Sequence, residues 1–140
     1  MSERFPLPTK PEDIIPSLLE IPSLLERFHS GDVNEQMDLY APEAVFIALD
    51  GRTITDHAEI TAIIGRDIKL GLPLVANVRH LFVAGDTAQI VLDWSIDGKG
   101  PGGEPVRLAG SACDIARRGA DGFWRYLIDN NQGTAVRQPA

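Results

Sequence analysis

The sequence predicts an α+β domain, a cone-shaped curved antiparallel sheet with three N-terminal helices packed on its concave face. Three observations carry that expectation. Apolar residues recur at helical spacing before residue 70, the period turns extended after the break Gly71-Leu72-Pro73, and four extended runs then follow one another through short loops. Short loops between consecutive strands require antiparallel pairing. The helices need a partner for their apolar stripes, and one sheet face supplies it.

Residues 1–11 carry Pro6, Pro8 and Pro11 and read as an extended arm. From Asp13, the residues Ile14, Leu18, Ile21, Leu25 and Phe28 fall on one helical face. Pro22 removes an amide donor and crowds the carbonyl of Leu18, so this first helix is expected to bend before His29-Ser30-Gly31 ends it. Asp32 and Glu35 form a capping box for a short second helix that buries Val33, Met37 and Tyr40 and is closed by Pro42. Ala44 to Leu49 reads as a buried strand ended by Asp50-Gly51. Asp56 and Glu59 cap a third helix whose apolar face is Ile60, Ile63 and Ile64, with Gly65 weakening its end. The four closing strands are Val75–Val83, Thr87–Ile96, Val106–Arg117 and Phe123–Asp129, joined by Ala84-Gly85-Asp86, by the glycine-rich Asp97–Glu104 and by Gly119–Gly122. No repeat or linker divides the chain, so residues 12–135 form one domain followed by a tail, 136–140.

Composition narrows the function. With 140 residues and 44% hydrophobic content the chain buries a core without staples. A net charge of -7 is the wrong sign for a surface that tracks phosphates, which sets nucleic acid aside as a partner. Cys113 is the sole cysteine, so no internal disulfide forms, and the three histidines show no ligand spacing. No metal or other cofactor is expected. Met1 to Lys10 lacks the apolar core of a signal peptide and no run is long enough to span a membrane, which places the protein in the cytoplasm.

The chemistry-bearing candidates cluster late in the chain. Asp129 follows three large residues at the end of the last strand, and an apolar cavity there would raise its pKa into the working range of a general acid or base. Its bland alternative is a strand-end cap or an arginine pair. Asp114 sits in the apolar run Ala112-Cys113-Asp114-Ile115-Ala116 and needs a partner. An outward-facing Asp114 paired with Arg107, Arg117 or Arg125 is the stronger expectation, and a cavity shared with Asp129 is the functional alternative. His80, mid-strand, is a packing residue or a proton shuttle. Tyr40, Ile90, Leu92, Trp94, Cys113 and Leu127 are the expected lining of an apolar ligand pocket between sheet and helices.

The order of elements, with Phe28-His29-Ser30-Gly31-Asp32, Leu39-Tyr40-Ala41-Pro42-Glu43-Ala44-Val45, Asp121-Gly122-Phe123-Trp124-Arg125 and Ile128-Asp129-Asn130, resembles the nuclear transport factor 2-like superfamily. That superfamily, a cystatin-like roll, includes ketosteroid isomerase and the SnoaL-like polyketide cyclases. The resemblance implies the cone fold, a small apolar organic ligand, and a homodimer through the outer sheet face. The isomerase tyrosine and general base fall on Leu24 and Ala48, which carry neither function, and its protonated aspartate falls near Cys113. The cyclase acid/base aspartate falls on Asp129, with its paired histidine near Asp114. Two functions stay open: a cofactor-free isomerase, cyclase or dehydratase, and a non-catalytic ligand-binding or dimerisation module.

Overall fold

The computed structural model describes residues 7–14, 38–69 and 74–134. The described elements run β1 (Tyr40–Ile47), β2 (Thr53–Ile54), α1 (His57–Lys69), β3 (Leu74–Ala84), β4 (Thr87–Lys99), β5 (Pro105–Arg118) and β6 (Trp124–Asn130). They form one six-stranded sheet in the order β2-β1-β6-β5-β4-β3. Strands β3 to β6 pair as consecutive antiparallel neighbours, as their short loops require. The β5–β6 turn passes through Gly122 at φ 85, a backbone conformation that favours a residue without Cβ.

Two expectations change. The sheet is mixed rather than wholly antiparallel, because β1 lies parallel to β6. A parallel neighbour needs a long crossover, and here α1 and four strands separate the two in sequence. Tyr40 to Pro42 belong to β1, not to a helix; Pro42 lies in the irregular stretch of β1–β6 pairing between Tyr40 and Val45, where a missing amide donor is tolerated. The two-residue β2, which turns back antiparallel on β1, carries too little pattern to be read beforehand.

The third expected helix is α1, and Asp56 Oδ2 accepts from the Glu59 amide at 3.2 Å, as the capping pair implies. Gly65 lies inside it, and the helix continues to Lys69. The first two expected helices fall almost wholly outside the described residues. At their start a short 3-10 turn spans Pro11–Asp13, and Ile14 after it is fully buried. The arm before it is docked: Pro8 accepts a hydrogen bond from the Trp124 amide at 2.9 Å, and Leu7 packs on the core. No helix among the described residues is long and apolar enough to cross a membrane.

The core lies on one face of the sheet. Ala88, Ile90 and Leu92 of β4, Ala112 and Ala116 of β5, and Trp124 and Tyr126 of β6 are all buried, whereas the residues between them are less so, the period-two signature of a sheet covered on one side. Ile54 and Ile60 close the core from β2 and α1.

Candidate active site

Four polar side chains lie within this apolar face: Tyr40 of β1, Asp114 of β5, and Tyr126 and Asp129 of β6. Register brings them together. Tyr126 stands beside Tyr40 on one side and Ala116 on the other, while Asp129 stands beside Phe46 and Asp114 beside Ile90. Tyr126 and Asp129 are three residues apart, so a regular strand would turn them to opposite faces. Both are buried, at 0% and 6% exposure, because the β5–β6 register slips by one residue between Ala116–Tyr126 and Ile115–Ile128. That bulge around Leu127 re-aims the end of the strand inward.

The hydrogen bonds divide the four groups into two kinds. Tyr40 Oη donates to Asp129 Oδ2 at 2.5 Å, and the Asn130 amide donates to Asp114 Oδ1 at 2.8 Å. The rings of Tyr40 and Tyr126 are tilted against each other with centroids 5.5 Å apart. Tyr126 Oη is buried and has no hydrogen-bond partner among the described residues. An orphaned buried hydroxyl costs about 1–3 kcal/mol, so its retention calls for a reason.

Burial dominates the electrostatics. It pushes the Asp129 carboxyl up to about 6, with the Tyr40 hydroxyl pulling the other way. Asp114 is pushed further, to about 8, by burial and then by the neighbouring Asp129 charge, against the opposing pull of the Asn130 amide. Both tyrosines are held well above their ordinary range by burial and by the two carboxylates. Near neutral pH burial and mutual repulsion therefore favour one proton shared by the pair, one acceptor beside one donor, which is the equipment of acid/base chemistry.

The other expected residues separate. Asp114 does not face outward: it is 3% exposed, and the three arginines proposed for it are engaged elsewhere, Arg107 with Asp97, Arg117 with Glu43, and Arg125 with Asp121. Cys113, next along β5, therefore lies on the opposite face from Asp114, half-buried beside the Gln89 amide rather than in a shared lining. His80 is exposed on β3 and stacks on Phe82, with ring centroids 5.5 Å apart; it is neither a half-buried packing residue nor a neighbour of the aspartates. Ile90 and Leu92 are core residues on the face of the aspartates, with Trp94 and Leu127 packed partly buried against them. Trp94 is fixed by its indole, which donates to the Asn131 carbonyl at 2.8 Å. The opposite residue, Gly110, has to lack a Cβ, since one would meet the Gln132 amide at 2.6 Å and Asn131 O at 2.9 Å.

Tyr126 is the polar member that the sequence reading left as aromatic surface only. The available signal was its strand parity with Trp124, together with the small residues Gly110, Ala112 and Ala116 that flank Asp114 at every second position.

The SnoaL-like domain family matches residues 23–127. No curated protein matches the chain. Among solved structures, a conserved protein from Planctomyces limnophilus superposes with a TM-score of 0.62 at 20% identity, covering 84% of this chain and 96% of its own. A nuclear transport factor 2-like superfamily protein from Salmonella enterica gives 0.59 at 15% identity over 94% and 100% of the two chains. A third, from Shewanella frigidimarina and described as a candidate ketosteroid isomerase, gives 0.55 at 15% identity over 76% and 89%. At these identities the likeness is one of fold.

Proposed function

This chain belongs to the SnoaL-like domain family, and from that footing we propose that it binds a small, largely apolar organic molecule on the concave face of its sheet and moves a proton on it. The carrying observation is the buried Tyr40–Asp129 hydrogen bond beside a second buried acid, Asp114. In this reading Asp129 is the acid/base, Tyr40 steadies its ionised form, and Asp114 is the second buried acid that holds the ligand. Ile90, Leu92, Trp94 and Leu127 supply the apolar lining. No cofactor is needed, since an isomerase, cyclase or dehydratase of this kind requires only positioned proton donors and acceptors. The label of the Shewanella neighbour supports the class of chemistry.

The test is hydrogen exchange at the carbon next to the carbonyl of a panel of cyclic and aromatic ketones in deuterated buffer. Wild-type protein is expected to accelerate exchange for at least one of them, and Asp129→Asn to abolish that acceleration while retaining the wild-type circular dichroism spectrum. Exchange undiminished in Asp129→Asn would remove Asp129 from the role, and no acceleration for any ketone would favour a non-catalytic binding module.

A second feature supports assembly. On β3, Val75 and Phe82 expose 55% and 60% of their surface, and His80 lies stacked on Phe82. We infer a homodimer through this outer side of the sheet, in a cytoplasmic protein. Light scattering at micromolar concentration is expected to give twice the chain mass, and Phe82→Glu to return it to the monomer value; a wild-type monomer would refute the dimer.

A further inference from the structure

Among the described residues, the two buried aspartates have no basic partner. Every arginine ion pair among the described residues lies toward solvent: Arg52 with Asp50 and Glu59, Arg79 with Asp93, Arg107 with Asp97, Arg117 with Glu43, Arg118 with Asp86, and Arg125 with Asp38 and Asp121. Among the described residues, Asp114 and Asp129 face Tyr40 from β1, Tyr126 from β6, each other, and the Asn130 amide. Burying two adjacent carboxyls without a cation is costly, and an orphaned hydroxyl beside them adds to the cost. Among the described residues, the three groups share one feature: oxygen atoms able to accept, with no positive group to meet them.

We propose that the ligand taken by this cluster carries a protonated amine, which Asp114 and Tyr126 Oη receive. It rests on the ligand-binding part of the function proposed above and not on catalysis. An ammonium has three N–H donors and no acceptor, so it fits the free oxygen of Asp114, the lone pair of Tyr126 Oη, and the flank of the Tyr40 and Tyr126 rings. Asp114 Oδ1 stays with the Asn130 amide, and Asp129 stays with Tyr40, free for its own role. An anionic ligand would be repelled by Asp129, and the net charge of -7 draws cations toward the whole domain. The proton balance is explicit. A protonated Asp114 meeting an ammonium gives a carboxylate–ammonium pair and one proton released to solvent; no bond to carbon forms or breaks.

The test uses three probes on one skeleton, 2-phenylethylamine, 2-phenylethanol and phenylacetate, titrated into the full chain. The Asn130 amide resonance reports arrival at Asp114, and calorimetry in buffers of different ionisation enthalpy counts protons. At pH 7 the amine is expected to bind at least about tenfold tighter than the alcohol, with proton release, and phenylacetate weakest. Asp114→Asn is expected to erase the preference for the amine over the alcohol, and Tyr126→Phe to reduce it. Should Asp114→Asn fail to fold, wild-type protein near pH 5 gives the same reading. There the amine preference is expected to shrink, because both carboxyls keep their protons. Equal or tighter binding of the alcohol at pH 7, or an amine preference that survives Asp114→Asn or is unchanged at pH 5, overturns the proposal and leaves the ligand site standing. If none of the three moves Asn130 or a neighbouring sheet amide at millimolar concentration, the ligand site itself falls, and the amine with it.

Discussion

The two faces of the sheet treat carboxylates in opposite ways. At the solvent side and the rim, Glu43, Asp50 and Asp121 each sit against an arginine, and each is held below its usual range by that partner, Asp121 at about 2. On the buried face Asp114 and Asp129 have tyrosines and a backbone amide instead, and burial drives both upward. The same side chain thus stabilises a turn in one place and burdens the core in the other. Such ion pairs contribute little because water already solvates their members, whereas a buried acid weakens the fold at every pH where it ionises. A burden of that size in the centre of the sheet is the cost that the proposed binding and chemistry have to outweigh.

The largest test of this contrast is the pH dependence of folding. A carboxyl raised in the folded state gives its full stability below the unfolded value near 4 and loses it as pH climbs to the folded value. For Asp129 the loss runs from about pH 4 to about 6, and for Asp114 from about 4 to about 8. Each group contributes a slope of at most about 1.4 kcal/mol per pH unit, so the steepest fall lies below pH 6. Asp121 acts in reverse, adding stability above pH 4 that is lost toward pH 2, though its exposure leaves that contribution small. Urea unfolding is therefore expected to show a maximum near pH 4 to 5 and a decline toward pH 8. Asp114→Asn should flatten the upper limb and melt higher than wild type at pH 8. A wild-type curve that is level or rises from pH 5 to 8 would contradict the upward shift of the pair.

A smaller effect separates the two buried acids. Tyr40→Phe removes the hydroxyl that holds the ionised Asp129, so the Asp129 carboxyl is expected to titrate above its value of about 6. Stability near pH 7 should fall by about 1–3 kcal/mol, the cost of a buried acceptor left without its donor. Carbon-13 NMR of the aspartate carboxyls gives the first quantity and urea unfolding the second. An unmoved Asp129 would mean that burial alone sets its behaviour.

Much of this was legible in the chain, and the limits have physical causes. The four closing strands were read within two or three residues because alternation and turn residues agree there, as at Ala84-Gly85-Asp86. Asp129 stood out as the last acid after an aromatic run. What sequence could not supply was register. Strand parity pairs Asp129 with Arg125 and Leu127, and only the bulge around Leu127 places it with Tyr126. Tyr40 looked helical because local spacing extends the capped pattern from Asp32, whereas long-range pairing with Tyr126 makes it the first residue of β1. Asp114 looked outward-facing because arginines sit at Arg107, Arg117 and Arg125; in fact each of these answers a nearer acid at the surface.

The smallest expected effect completes the comparison. The Arg117–Glu43 pair joins β5 to β1 across the outer side of the sheet, at 2.5 Å, with both side chains well exposed. By distance alone it equals the buried Tyr40–Asp129 bond, also at 2.5 Å. Distance is not energy: the exposed pair exchanges one set of well-solvated contacts for another, and ordering two long side chains offsets what the attraction gains. Glu43→Gln is therefore expected to leave the urea midpoint unchanged at neutral pH, with no added sensitivity to salt, while Tyr40→Phe moves it clearly under the same conditions. If the two variants cost the same, the burial of the carboxylate pair would not be what distinguishes the core face, and both the acid/base reading and the amine-binding reading of Asp114 would lose their common physical ground.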